Sequence, residues 1–97
     1  MSSFYITHRV TDGDPKVMEE YSSKVNATFE PFGGVKIVRG GDPECMEGDW
    51  DIDRMTIIKF PDRASLKAWY DSAEYAPLKA MRHSVMKANA IAVDGND

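Results

Sequence analysis

The chain alternates strand-like runs with helix-like segments in an order that few folds share. Four runs are rich in β-branched and aromatic residues and are bounded by turn residues, which is typical of strands: residues 4–10, 35–39, 54–60 and 86–93. Between the first two, Asp14 and Pro15 predict the start of a helix whose apolar residues recur at three- and four-residue steps as far as Phe32. A second helix is predicted from Asp62, with an interruption at residues 72–77 and an end near His83.

The order β-α-β-β-α-β, with one short extended piece near residues 45–47, predicts an α+β fold. It is the ferredoxin-like split βαβ arrangement, an antiparallel sheet with two helices on one face. A sheet with one solvated face should alternate polar and apolar residues, but here both sides are apolar, as with Phe4 and Ile6 against Tyr5. We therefore predict one domain over residues 1–97 that pairs its second sheet face with another copy in a homodimer.

Composition excludes several classes of function. The net charge is −4 and no cluster of Lys and Arg occurs, so no nucleic-acid partner is expected. No apolar stretch approaches the ~20 residues of a membrane span, and no signal peptide is visible, so we expect no membrane partner. A single cysteine, Cys45, fits a reducing, cytoplasmic location. We also expect no metal and no cofactor, because neither an HExxH nor a glycine-rich phosphate motif occurs.

Two polar residues on predicted strands are candidates for chemistry. The alternation Val35, Ile37, Arg39 predicts that the guanidinium points to the side of the two apolar residues. It would then serve either as a structural ion pair with a carboxylate of the following loop, Glu47 or Asp49, or as an anchor for an anionic or carbonyl ligand. His8 shares a strand face with Phe4, Ile6 and Val10, so it is either a core residue or a proton-transfer group.

The segment WYDSAEYAPLKAMR, residues 69–82, combines three aromatic residues with an arginine. At 100° per residue, Leu78 and Met81 lie on a core stripe, while Tyr75 and Arg82 fall within about 20° of each other at its margin. Trp69 and Tyr70 precede the interruption at Ser72 and could close the same space. The alternatives are plain aromatic packing with an arginine that reaches water, and the wall of a small-molecule pocket.

Four segments in order resemble the domain of unknown function 1330 family: FGGVKIVRGG (32–41), MEGDW (46–50), IIKFPD (57–62) and the segment 69–82. The resemblance covers nearly the whole chain and implies a dimeric α/β barrel. The wider superfamily includes cofactor-free monooxygenases, lactone isomerases, haem-degrading enzymes and stress-induced dimers. Lys59 departs from the pattern, which more often has an acidic residue there. The residues that match the family pattern are Arg39, Glu47, Trp50, Trp69, Tyr70, Ser72, Tyr75 and Arg82.

Two hypotheses follow. In the first, each subunit holds a small molecule between sheet and helices, and His8 or Tyr75 moves a proton in a proton transfer or a cofactor-free oxidation. The residues expected to bind the substrate are Arg39, Trp69, Tyr70, Ser72 and Arg82, with Glu47 and Trp50 at the rim. In the second, the protein is a non-enzymatic dimeric module that binds a metabolite or responds to stress, and Arg39 is a structural ion-pair residue.

Overall fold

The computed structural model describes residues 1–97 as one four-stranded sheet covered on one face by three helices. The sheet order is β2-β3-β1-β4 and every neighbouring pair is antiparallel. This confirms the predicted ferredoxin-like α+β fold. The elements are β1 (Ser3–Arg9), α1 (Pro15–Phe29), β2 (Val35–Gly40), β3 (Met55–Phe60), α2 (Arg63–Tyr70), α3 (Ala76–Val85) and β4 (Ala88–Asp94).

Aspartate caps start the first two helices where the sequence predicts them. The Asp14 carboxylate accepts hydrogen bonds from the backbone N–H groups of Lys16 and Val17. The Asp62 carboxylate accepts one from Ser65 at 2.7 Å, and this bond lowers the pKa of Asp62. Both caps satisfy N–H groups that have no partner inside the helix.

The predicted interruption after Tyr70 is present and separates two helices, α2 and α3. One local prediction was wrong. The loop 41–54 contains no strand, so the short extended piece near residues 45–47 does not form. The C-terminal residue is bound to the start of the chain, because the Asp97 carboxylate accepts hydrogen bonds from the Ser2 hydroxyl at 2.7 Å and the Ser2 backbone N–H at 2.9 Å.

The core lies between the sheet and the helices and is unusually aromatic. Trp69 is fully buried, with its ring 4.3 Å from that of Tyr75 and 5.1 Å from that of Tyr5. Its indole N–H donates to the Thr28 hydroxyl at 3.0 Å, so α2 and α1 share a buried hydrogen bond. The buried apolar and aromatic residues are Tyr5, Val25, Phe29, Ile58, Phe60, Leu66, Trp69, Tyr75 and Leu78.

A β-bulge in β2 separates Arg39 from Val35 and Ile37, the two residues predicted to share its face. Lys36 pairs with Ile58, Val38 pairs with Ile57 and Arg39 pairs with Thr56, so Ile37 is the additional residue. Since Tyr5, Ile58 and Thr56 all face the helices, Arg39 lies on the helix side together with Lys36. The prediction that Arg39 shares a face with Val35 and Ile37 was therefore wrong.

The other face of the sheet carries apolar side chains and no helix. Ile91 is 59% exposed, Val35 58% and Ile37 49%, and the half-buried Phe4 and Ile6 lie on the same face. We call this surface the open face. None of the helices has the length and apolar character needed to cross a membrane.

Candidate functional site

A cavity of about 420 Å³ lies between α1 and the helix-facing side of the sheet. Its floor is formed by side chains of β1, β2 and β3 that the register places on one face. Its roof is α1, and its remaining wall comes from the C-terminal end of α3 and the residue that follows. The lining side chains are Tyr5, Thr7, Arg9, Pro15, Met18, Glu19, Tyr21, Ser22, Val25, Lys36, Arg39, Arg54, Thr56, Ile58, Arg82 and Met86.

The charge of this cavity is opposite to that of the whole protein. Five cationic side chains line it and only one carboxylate, that of Glu19, whereas the chain as a whole has a net charge of −4. Such a concentration of one sign in a concave site attracts ligands of the opposite sign. The cationic residues are Arg9, Lys36, Arg39, Arg54 and Arg82.

Arg82 is a buried cation without a carboxylate partner. It is 5% exposed, and its Nη2 atom lies 3.5 Å from the Tyr5 hydroxyl and 3.3 Å from His83 Nε2. Its Nε–H is buried and has no hydrogen-bond partner. A buried charge in such surroundings is costly unless something compensates it. Because Arg82 also lines the cavity, an anionic or strongly polar ligand oxygen there would compensate its charge.

His83 supports Arg82 as an acceptor. Burial lowers the pKa of His83, and the cations of Arg82 and Lys79 lower it further. The imidazole is therefore neutral at neutral pH, and its Nε2 can accept a hydrogen bond from the guanidinium of Arg82. The sequence predicted only that His83 lies near the end of the helix.

Three phenols surround the guanidinium and stay protonated. Burial raises the pKa of Tyr5, Tyr21 and Tyr75 above the usual value of a tyrosine. The hydroxyls of Tyr21 and Tyr75 share a hydrogen bond of 2.8 Å, and the Arg82 guanidinium lies 6.0 Å from the centre of the Tyr21 ring. Neutral phenols at this place are hydrogen-bond donors and not bases. Tyr75 itself does not line the cavity and reaches it through Tyr21.

The other cations lie further along the strands. Lys36 belongs to the same row across the sheet as Ile58 and Tyr5, and Arg39 belongs to the next row with Thr56 and Thr7. The Arg54 guanidinium lies over Gly40, where a Cβ atom would approach it to 3.4 Å, and Gly40 has a φ of 77°. Glycine is favoured here both by the positive φ and by the close approach.

Only one of the five cations forms an ion pair. Arg9 contacts Asp53 at 3.4 Å and Asp12 at 3.5 Å, both with partly exposed carboxylates. Arg39 has no ion pair, so the expected pairing with Glu47 or Asp49 does not form. Lys36, Arg54 and Arg82 have none either, and no group of three or more His, Cys, Asp or Glu side chains is placed to hold a metal ion.

The predicted site residues divide among several places. Arg39 and Arg82 line the cavity and Tyr75 lies behind it, but Trp69 is in the core. Tyr70 lines a second cavity, of about 410 Å³, between α2 and β4, and its ring lies 4.0 Å below the Lys79 ammonium. The Ser72 hydroxyl accepts a hydrogen bond from the Tyr75 backbone N–H at 3.2 Å, which fixes the turn before α3.

The remaining candidates lie away from the cavity. His8 is on the open face, with its ring 6.0 Å from that of Trp50, and its Nδ1 is buried without a partner. Trp50 is 53% exposed. Glu47 is exposed, and its backbone carbonyl accepts a hydrogen bond from the Cys45 thiol at 3.4 Å. The structure therefore does not bring His8, Glu47 or Trp50 together with Arg82.

Sequence reasoning missed three of the five cations that line the cavity, Arg9, Lys36 and Arg54, together with Tyr5, Tyr21 and Glu19. Tyr5 and Tyr21 carried a signal, because each is a phenol on the apolar side of its element, where a buried hydroxyl needs a partner. Lys36 carried none, because a lysine that alternates with the apolar Val35 and Ile37 is typical of a solvent-facing side chain, and Arg54 carried none, because its position depends on the course of the loop 41–54. Glu19 lies on α1 beside two other polar residues and could not be distinguished from a solvent-facing carboxylate.

Comparison with known proteins identifies the family. The model of the family described as "Domain of unknown function (DUF1330)" matches residues 3–96. No curated protein matches the chain in sequence. The chain therefore belongs to the DUF1330 family, as the segments quoted above indicated.

Solved structures with the same fold come from several bacteria. A protein of unknown function from Rhodopseudomonas palustris superimposes with a TM-score of 0.75 at 16% identity, over 99% of this chain and 83% of that one. SnoaB from Streptomyces nogalater, a cofactor-independent oxygenase, superimposes with a TM-score of 0.66 at 11% identity, over 99% of this chain and 94% of that one. A dimeric ferredoxin-like protein of unknown function from Jannaschia sp. CCS1 superimposes with a TM-score of 0.71 at 9% identity, over 98% of this chain and 100% of that one.

Proposed function

We propose that this DUF1330 protein binds a small organic anion in the cavity between α1 and the sheet, with an anionic oxygen held by Arg82. The observation that carries the proposal is the burial of Arg82 with a free Nε–H and no carboxylate partner. Planar guanidinium groups suit carboxylate oxygens, and contacts of this kind strengthen where water is excluded. The protonated phenols of Tyr5 and Tyr21 add donors beside the same position.

Calorimetric titration tests this proposal. The probes are benzoate and adipate, compared with their neutral counterparts benzamide and dimethyl adipate. We expect binding of the anions only, and a loss of about tenfold in affinity in Arg82→Gln, the size of one charge-assisted contact. Arg63→Gln on α2 is the matched control and should bind normally, because Arg63 lies outside the cavity. Equal binding of neutral and anionic probes would overturn the proposal.

A catalytic role at the same site is a second candidate, favoured by the neutral phenols and by the presence of the single carboxylate, Glu19, in the wall. In this step the C–H bond next to a ligand carbonyl breaks and its proton moves to a Glu19 oxygen. The electron pair moves to the carbonyl oxygen, and Arg82 stabilises the enolate. We assign Tyr75 to the positioning of Tyr21, because it does not line the cavity and burial raises its pKa, so that the phenolate needed to take up a proton is not formed near neutral pH. We assign no part in this step to His8, which lies on the open face.

Proton exchange distinguishes catalysis from binding alone. In D₂O, the protein should accelerate loss of the α-proton NMR signal of pyruvate, phenylpyruvate or 2-oxoglutarate, and Glu19→Gln should abolish the acceleration. Glu20→Gln is the matched control, because the Glu20 carboxylate is bound to Lys24 at 2.8 Å on the same helix. If no probe exchanges faster than in buffer, the protein is a binding module without this chemistry. SnoaB is a cofactor-independent oxygenase, and attack of dioxygen on an enolate of this kind would start such an oxidation.

We also propose that the protein is a homodimer joined through its open face. The proposal is supported by three exposed apolar residues on the sheet face that no helix covers, Ile91, Val35 and Ile37. Structural neighbours from Jannaschia sp. CCS1 and Thermobifida fusca are described as dimeric ferredoxin-like proteins. The cavity lies on the opposite side of the sheet, so each subunit would keep its own site.

A further inference from the structure

The cations of the cavity form two groups at different depths. Arg82 marks the buried group, since its guanidinium contacts the Tyr5 hydroxyl over the row Tyr5–Ile58–Lys36. Arg39 and Arg54 mark the outer group. Arg39 belongs to the row that contains Thr56, two residues away from Ile58 along β3, which corresponds to about 7 Å at the normal rise of a strand.

The outer group is held together by local backbone geometry. Arg39 ends on the helix side because of the bulge at Ile37, and the next residue, Gly40, leaves room for the Arg54 guanidinium above it. Arg39 and Arg54 line the same cavity and neither forms an ion pair. An anion that contacts both would compensate two positive charges at once.

A single negative charge leaves this cavity far from neutral. Of the five cations, Arg9 has its own carboxylate partners, whereas Lys36, Arg39, Arg54 and Arg82 have none. Against these four stands the carboxylate of Glu19 alone. A ligand with one anionic group at Arg82 would leave the outer group unchanged.

We infer that the ligand is an elongated dianion that lies along the strands, with one carboxylate at Arg82 and a second at Arg39 and Arg54. This inference rests on the proposed binding function and names the class of compound, a small dicarboxylate. The apolar middle of the compound would lie against Ile58, Val25 and Met18, the uncharged part of the wall. The cavity volume of about 420 Å³ is within the range of pockets that hold small organic ligands.

The test compares dianions with monoanions of the same size. Calorimetry uses two pairs, terephthalate with monomethyl terephthalate and adipate with monomethyl adipate. In each pair the ester removes one charge and keeps the length. We expect the dianion of at least one pair to bind about tenfold more tightly than its monoester, the effect of one additional charge-assisted contact.

Substitutions of the arginines show which of them binds each end of the ligand. Arg39→Gln and Arg54→Gln should lower the affinity for the dianion toward that of the monoester, and leave the affinity for the monoester within about twofold. Both residues are exposed, so these variants should fold normally. Arg82→Gln should weaken both ligands, provided that circular dichroism shows a folded protein, and Arg63→Gln should change neither.

The outcomes separate the two proposals. If monoester and dianion bind equally in both pairs, or if the Arg39 and Arg54 variants bind the dianion normally, the dianion inference is wrong and the binding proposal stands. If none of the four anions binds, both proposals are wrong.

Discussion

Lys36 is the one lysine that lines the cavity, and the other four cations are arginines. Burial lowers the pKa of Lys36 below its usual value, and the neighbouring Arg39 cation lowers it further. Between the lowered folded value and the normal unfolded value, the unfolded chain binds more protons, so this residue makes stability rise with pH in that window. An anion in the cavity has the opposite effect on the folded state, because it favours the protonated amine.

Anion affinity should therefore fall at alkaline pH. As the pH rises through the lowered pKa of Lys36, the amine loses its charge and adipate should bind more weakly, because one of the four unpaired cations that attract it to the cavity is lost. In Lys36→Arg the charge remains, and the affinity should stay constant over the same range. Calorimetry of adipate between neutral pH and the lysine titration range checks both, and identical pH profiles of the two proteins would contradict the assignment.

For single residues, the sequence predicted which side chains matter better than it predicted which side chains they contact. Tyr75 and Arg82 were expected side by side from helical phase, and both belong to the same buried cluster. Trp69 was expected in a pocket wall and is fully buried, because Tyr5, Tyr75 and Phe60 enclose it from three elements. Which large side chain is enclosed depends on packing between elements distant in sequence, and the periodicity of one helix does not contain that information.

The helices α1 and α2 are joined by a hydrogen bond between two buried side chains. The Thr28 hydroxyl donates to the Val25 carbonyl at 2.6 Å and accepts from the Trp69 indole at 3.0 Å. The partners are 41 residues apart in sequence. The indole N–H has no other partner, so its burial depends on Thr28.

Substitutions of Thr28 and Trp69 should destabilise the protein less together than the sum of their separate effects. In Thr28→Val the indole N–H is left buried and unsatisfied, and the free energy of unfolding should fall by about 1–3 kcal/mol. In Trp69→Phe the smaller ring leaves a cavity and costs stability separately. If the hydrogen bond matters, the double variant should be more stable than the sum of the two losses predicts. Urea unfolding of all four proteins measures this, and strict additivity would contradict it.

The elements themselves were largely readable from the sequence, and the exceptions have physical causes. Strands and helix starts follow from alternation and from aspartate caps, which are local signals. The bulge at Ile37 is not local, because an added residue in β2 is defined only against its partner β3. Arg39 was predicted to share a face with Val35 and Ile37, but because of this added residue it lines the cavity while those two residues are exposed on the open face. The sequence therefore identified the right residue and the wrong neighbours.

The whole molecule has two unlike surfaces on the two sides of one sheet. On the helix side, the cavity gathers cations and phenols. On the open face, Val35, Ile37 and Ile91 are exposed, and His8 with Trp50 lies at one end. Two sheets that pack face to face lie about 10 Å apart, which suits side chains of this size. Pairing through the open face would bury these apolar residues and leave the cavity mouths free.

Solution mass and two matched variants test this pairing. Light scattering after size exclusion should give twice the chain mass of 10.9 kDa for the wild type. Ile91→Glu places a charge on the open face, where burial without a partner is costly, and should shift the protein toward the monomer. Ser23→Glu, on the exposed side of α1, should remain dimeric. A wild type of 10.9 kDa, or dissociation caused by Ser23→Glu and not by Ile91→Glu, would show that the open face is not the contact.

Because the cavity lies within one subunit, the Ile91→Glu monomer should still bind adipate, and loss of binding on dissociation would mean that the partner completes the site.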